Sequence, residues 1–196
     1  MKRRDFVAAG TLSVVGLSGC LGDTEYRLTE IVADDSAGPL SVSGRLAVTD
    51  STIEHPAELV LTLENTGDEP VRVRSYGVWP FGVLAVASSP TPDDETWKTT
   101  LFSQSYEATD RVEASRGGAS MSMDGTPITK PLGVGETVSR RYELRGDDLS
   151  RAGTYYVAER FDGRASQFQT DNDWEMFTYR VRIEIEQKTR VPLQQR

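Results

Sequence analysis

The chain has a single cysteine, Cys20, and a single histidine, His55. One cysteine excludes an internal disulfide and a thiolate metal cluster, so stability must come from the core. One histidine leaves Ser-His-Asp chemistry only one partner to use, and His55 sits in Glu54-His55-Pro56 with no nucleophile elbow nearby. It reads as an exposed loop histidine. Lysine is scarce: Lys2, Lys98, Lys130 and Lys188 are the only four among 22 basic residues. No apolar run reaches the roughly 20 residues of a membrane-crossing helix. After the first 20 residues no window carries a 3.6-residue period of useful length, and no catalytic constellation, cofactor motif or phosphate-binding loop is present.

Acidic residues are plentiful, 30 against 22 basic, for a net charge of −8. Such a surface repels nucleic acid and anionic headgroups, which argues against a nucleic-acid partner. Acidic excess with scarce lysine resembles the proteins of extremely halophilic archaea. In molar salt the Debye length falls to about 3 Å and mutual repulsion of surface carboxylates is screened.

The first 20 residues have the parts of an export leader. Lys2, Arg3 and Arg4 form a positive start, Phe6 to Leu17 a short and diluted apolar stretch, and Leu17-Ser18-Gly19 a run with small residues before Cys20. Arg3-Arg4-Asp5-Phe6-Val7 resembles the twin-arginine export signal. Leu17-Ser18-Gly19-Cys20 resembles the lipobox of exported lipoproteins. That resemblance implies cleavage before Cys20, a lipid on its sulfur, and attachment to the outer face of the cell membrane. Loss of residues 1–19 removes three basic residues and one acidic one, taking the net charge to −10. The remaining 177 residues suffice for one domain with a sizeable core.

Residues 20–38 are polar and acidic and are expected to serve in part as a tether, with a short strand over 26–32. From residue 39 the pattern changes to alternation. Leu40, Val42, Leu46 and Val48 form one such row, and Leu59, Leu61 and Leu63 another. Val71 and Val73 alternate with Arg72 and Arg74, and Phe177 to Ile185 gives the cleanest strand of all. Asn65-Thr66-Gly67-Asp68 is a turn, so 57–65 and 70–76 are expected to form a hairpin. Val138, Tyr142 and Leu144 share a face that Arg140 interrupts. Residues 89–136 are rich in Ser, Thr, Gly, Asp and Pro, and read as an irregular insertion broken by short strands near 98–103 and 119–123.

Seven or eight strands without helices predict an all-β, antiparallel sandwich over 39–190. The turn at Asn65–Val71, then Leu132–Val138, Tyr142–Leu144 and Gly153-Thr154-Tyr155-Tyr156-Val157 resemble immunoglobulin-like domains of the adhesion and proteinase-inhibitor type. The resemblance implies a tyrosine corner at Tyr155, its hydroxyl bonding back to the preceding loop, and Val157 where antibody domains carry cysteine.

Candidate binding residues are the aromatics Tyr76, Trp79 and Phe81, together with Trp97 in the insertion, where Met121 and Met123 also lie. Aromatics are enriched at binding surfaces, though these also suit a core. Asp171, Asp173 and Glu175 space carboxylates as a calcium loop does, without the full ligand set or the placed glycine. No carboxylate pair stands out for glycoside hydrolysis. The expected role is a non-catalytic binding module at the cell surface, without cofactor or metal. It is anchored through Cys20 and directed to a surface protein or glycan. The alternative is an accessory or solute-capturing subunit of a membrane transport complex.

Overall fold

The structure is a computed structural model and describes residues 25–34, 38–52, 54–93, 95–114 and 120–188. Arg3, Arg4, Leu17, Ser18, Gly19 and Cys20 lie outside these residues. The strands are β1 Tyr26–Ala33, β2 Leu40–Val48, β3 Asp50–Ser51, β4 Ala57–Asn65, β5 Val71–Tyr76, β6 Leu84–Ala87, β7 Lys98–Thr100 and β8 Val112–Ala114. They continue with β9 Met121–Met123, β10 Pro127–Leu132, β11 Thr137–Leu144, β12 Gly153–Glu159, β13 Gln167–Gln169, β14 Glu175–Met176 and β15 Val181–Gln187.

All pairings are antiparallel, in four sheets ordered β3-β1-β15-β12-β6-β7, β10-β5-β13-β14, β11-β4-β2 and β8-β9. The runs β2-β4-β11 and β15-β12-β6 reproduce the strand orders A-B-E and G-F-C of the two layers of an immunoglobulin-like sandwich. One buried cluster lies between them, with Leu59, Leu61 and Leu63 of β4 facing Tyr155, Ile183 and Ile185 of β12 and β15. The period-two rows of the sequence are therefore the inner faces of the layers. Truncating one of these leucines to alanine is expected to cost about 2–5 kcal/mol. Tyr155 forms the tyrosine corner, its hydroxyl donating to the Arg151 carbonyl at 2.6 Å.

Three expectations are corrected. The segment 57–76 is not a hairpin: β4 belongs to the three-stranded sheet and β5 to the four-stranded one. The chain crosses between layers at Asn65, whose side chain is buried. Its Nδ2 donates to the carbonyls of Glu69 at 2.8 Å and Leu132 at 3.1 Å, while its Oδ1 accepts from Gly67 N–H. Turn chemistry fixes the local bend and not the sheet to which the chain returns.

The short strand expected over 26–32 in the acidic stretch is present as β1. Tyr26–Ala33 pairs along its length with β15, because Tyr26 and Leu28 reach the core between polar neighbours. Within 89–136, β10 is a full strand beside β5. Pro127 and Pro131 disguise it. They are tolerated because β10 is an edge strand, and residues four apart turn their missing donors to the same outer side. Finally, the sandwich includes one helical turn, α1 Gln104–Glu107, capped by the Ser103 hydroxyl accepting from Ser105 N–H.

Candidate functional site

The aromatic residues singled out in the sequence do not form an exposed platform. Phe81 is 1% exposed and packs edge-on to Tyr179. Trp79 is 8% exposed, with its indole N–H donating to the Val73 carbonyl at 3.1 Å. Trp97 is half-buried, edge-on to Tyr155 at 5.5 Å between ring centroids. Their apolar area closes the sandwich. Tyr76 alone of the four lies on an outer face.

Trp79 instead floors a cleft at the open edge between β10 and β11. Ile128, Lys130 and Leu132 form the inward row of β10, and Val138, Arg140, Tyr142 and Leu144 that of β11. Each row carries one cation where the core runs out. Lys130 Nζ stands 5.4 Å from the Trp79 ring centroid. Arg140 donates from Nε to the Trp79 carbonyl at 2.9 Å and from Nη1 to the Ser139 carbonyl. That accounts for the interrupted pattern on β11. The cleft has a volume of about 400 Å³, and Ser105 and Thr109 complete its wall. Among the described residues no carboxylate pairs with Lys130 or Arg140.

A second cationic surface is built on the outer face of the four-stranded sheet. The outward row of β5 is Arg72, Arg74 and Tyr76. Register places Gln169 of β13 opposite Arg72 and Gln167 opposite Arg74. On the other side Pro131, Thr129 and Pro127 of β10 stand opposite Arg72, Arg74 and Tyr76. Arg74 lies with its guanidinium carbon 3.7 Å from the Trp174 ring centroid, and Arg72 approaches the same ring at 5.8 Å. Arg164 covers Tyr76 at 4.9 Å. Such contacts are worth about 0.5–2 kcal/mol each and hold the guanidinium planes in place. Arg74 Nη1 donates to Gln167 Oε1 at 3.1 Å, and Arg72 Nη1 to Gln169 Oε1 at 3.2 Å. Gln169 is itself fixed by its amide donating to the Asn172 carbonyl at 2.6 Å.

Among the described residues no carboxylate lies within ion-pair distance of Arg72, Arg74 or Arg164. Arg74 Nε is buried without a hydrogen-bond partner, the one such side-chain atom found among the described residues. In the sequence Arg72 and Arg74 read only as the polar alternates of a strand. Arg164, Gln167, Gln169 and Trp174 carry no signal there. The available hint was a pair of arginines two residues apart, on one strand face, in a chain so rich in carboxylates.

The remaining candidates bring no chemistry together. His55 is exposed in a turn closed by its own N–H donating to Thr52 Oγ1 at 3.0 Å. Asp171 and Asp173 lie in the loop after β13. Glu175 pairs with Phe168, an inward position, and so faces away from the arginine row. Among the described residues no three His, Cys, Asp or Glu side chains are grouped to hold a metal ion. No helix among them is long and apolar enough to cross a membrane.

No curated protein and no solved structure matches the chain. A family model does, over residues 1–193, nearly the whole length. The chain thus belongs to the family described as Domain of unknown function (DUF8130).

Proposed function

We propose that this protein is a membrane-anchored, extracytoplasmic binding module without catalytic activity. In this reading Arg3 and Arg4 direct export, and cleavage after Gly19 leaves Cys20 as a lipidated first residue. β1 begins at Tyr26, six residues beyond Cys20. At no more than about 3.6 Å per residue, the sandwich stands within roughly 20 Å of its anchor. The observation that carries the binding role is the arginine face of the four-stranded sheet. In a chain of net charge −8, three guanidiniums share one surface on aromatic supports, with no carboxylate among the described residues at ion-pair distance. Burial alone does not call for such an arrangement, and an anionic surface partner does.

The test has two stages. Cys20→Ala is expected to move the protein from the membrane fraction to the medium, or to leave it unprocessed in cells. Cross-linking of intact cells in their native salt, followed by mass spectrometry, is expected to recover one dominant surface partner. Unchanged processing and membrane association of Cys20→Ala would sink the anchored reading. Absence of any reproducible protein partner would sink a protein-directed role.

The cleft beneath Lys130 and Arg140 favours the second reading, capture of a small solute for a membrane complex. Two cations over an indole, with no carboxylate partner among the described residues, suit a small organic anion. A thermal-shift screen of carboxylates separates the readings, since saturable stabilisation abolished by Lys130→Ala would support capture.

A further inference from the structure

We propose that the arginine face binds an acidic peptide segment in extended conformation, with carboxylates at alternate residues meeting Arg72, Arg74 and Arg164. The inference rests on the reading of this protein as a binding module and names the ligand of its main surface.

Spacing is the first argument. Arg72, Arg74 and Tyr76 occupy alternate positions on one strand, and Arg164 lies over Tyr76. A strand advances about 3.3–3.4 Å per residue, so the three backbone stations of the row repeat at about 7 Å. An extended peptide sets its own same-side side chains at the same interval. Acidic residues at positions i, i+2 and i+4 therefore match the row station by station.

The second argument is donor geometry. A guanidinium has five N–H donors in a planar fork that fits a carboxylate in bidentate fashion. Gln167 and Gln169 each engage one Nη of Arg74 and Arg72. The stacked rings hold the planes without engaging the remaining N–H groups.

A third argument selects peptide over glycan. Trp174 and Tyr76 each have one ring face taken by a guanidinium, which reduces the ring surface on which a sugar could stack. Addition of a strand to the sheet edge is not the binding mode either. β10 carries Pro127 and Pro131, and β14 is only two residues long. The segment lies across the face and is held by side chains.

The test uses the full lipidated protein in detergent with two labelled probe peptides of equal composition. In one, Glu and Thr alternate over six residues. In the other, three Glu precede three Thr. Fluorescence anisotropy is expected to show at least tenfold tighter binding of the alternating peptide, with a change in Trp174 emission. Arg74→Gln is expected to weaken it at least tenfold. Arg74→Lys should fail to restore it, since an ammonium lacks the planar fork. Arg72→Gln and Arg164→Gln, at exposed positions, provide the same test should Arg74→Gln fail to fold.

Equal affinity for both peptides, or binding indifferent to all three substitutions, would overturn the inference. So would tighter binding of polygalacturonate than of the alternating peptide, which would assign the face to an acidic glycan. Failures are separable. If Arg74→Gln still captures the cellular partner, the binding module stands and this site falls. If Cys20→Ala is processed as before and stays membrane-bound, the anchor falls and the peptide result is untouched.

Discussion

Two outer faces of one sandwich handle the same alternation in opposite ways. On the three-stranded sheet some of the outward residues satisfy one another. Arg141 pairs with Glu58, and the hydroxyls of Thr62 and Ser139 meet at 2.8 Å across the β4–β11 ladder. On the four-stranded sheet the outward cations meet rings and amides and, among the described residues, no carboxylate. Both faces are polar alternates of apolar rows, so pattern alone makes them equal. What separates them is the identity of the cross-strand neighbour. Residues paired with one another have less to offer a ligand, whereas the pinned donors of the other face suit the binding role proposed above.

The comparison is easiest to break where the two layers join. Asn65 makes three side-chain hydrogen bonds in the corner between β4 and β5, two of them to backbone carbonyls. Each buried group left unsatisfied costs about 1–3 kcal/mol, so Asn65→Ala should destabilise the domain by about 3–5 kcal/mol in urea unfolding. A loss below about 1 kcal/mol would mean that the layers are joined by core contacts alone.

Next in size is Trp174→Ala. Removing the support beneath Arg74 should cost about 1 kcal/mol of stability and loosen the arginine row. Peptide affinity should then fall by more than the stability change implies, and equal affinity would show that the guanidiniums need no support. The matching change on the closed face, Arg141→Gln, breaks an exposed pair and should cost only about 0.2–1 kcal/mol, with peptide binding unchanged. Any loss of binding there would erase the distinction between the faces.

The smallest effect sharpens the comparison on a third surface. Asp50 accepts from Arg27 and Lys188 at the edge of the six-stranded sheet, and these hydrogen bonds, Arg27's first, lower its carboxyl to about 2. A depressed carboxyl contributes stability that is complete above its ordinary range near 4. That contribution is lost as pH falls toward 2. Carbon-detected NMR of the Asp50 carboxyl should show an inflection near pH 2 that moves up in Lys188→Ala. An inflection near 4 in the unchanged protein would remove the pair from consideration.

The sequence was informative where local pattern and burial coincide. The rows Leu59-Leu61-Leu63 and Val181-Ile183-Ile185 became the inner faces of β4 and β15, and Tyr155 closed its corner as its place after Gly153 implied. It misled where the outcome depended on distant chain. Asn65-Thr66-Gly67 bends identically whether the next strand returns to the same sheet or crosses to another. The prolines of β10 read as breakers until the strand proves to be an edge. Half of the arginine face was visible in Arg72 and Arg74. The groups that make it a site, from Arg164 to Trp174, come from about 90 residues later, and no local signal ties them to β5.

The two prolines of β10 have a further consequence. With the membrane anchor proposed above, the protein would meet copies of itself at concentrations far above those in free solution. An exposed strand edge under such crowding becomes a template for chain-to-chain growth. Pro127 and Pro131 deprive that edge of two donors on the side where growth would begin, and the opposite edge, β14, is too short to seed it. The four-stranded sheet can therefore be packed side by side with its neighbours without zipping into a fibre, its cationic face kept clear.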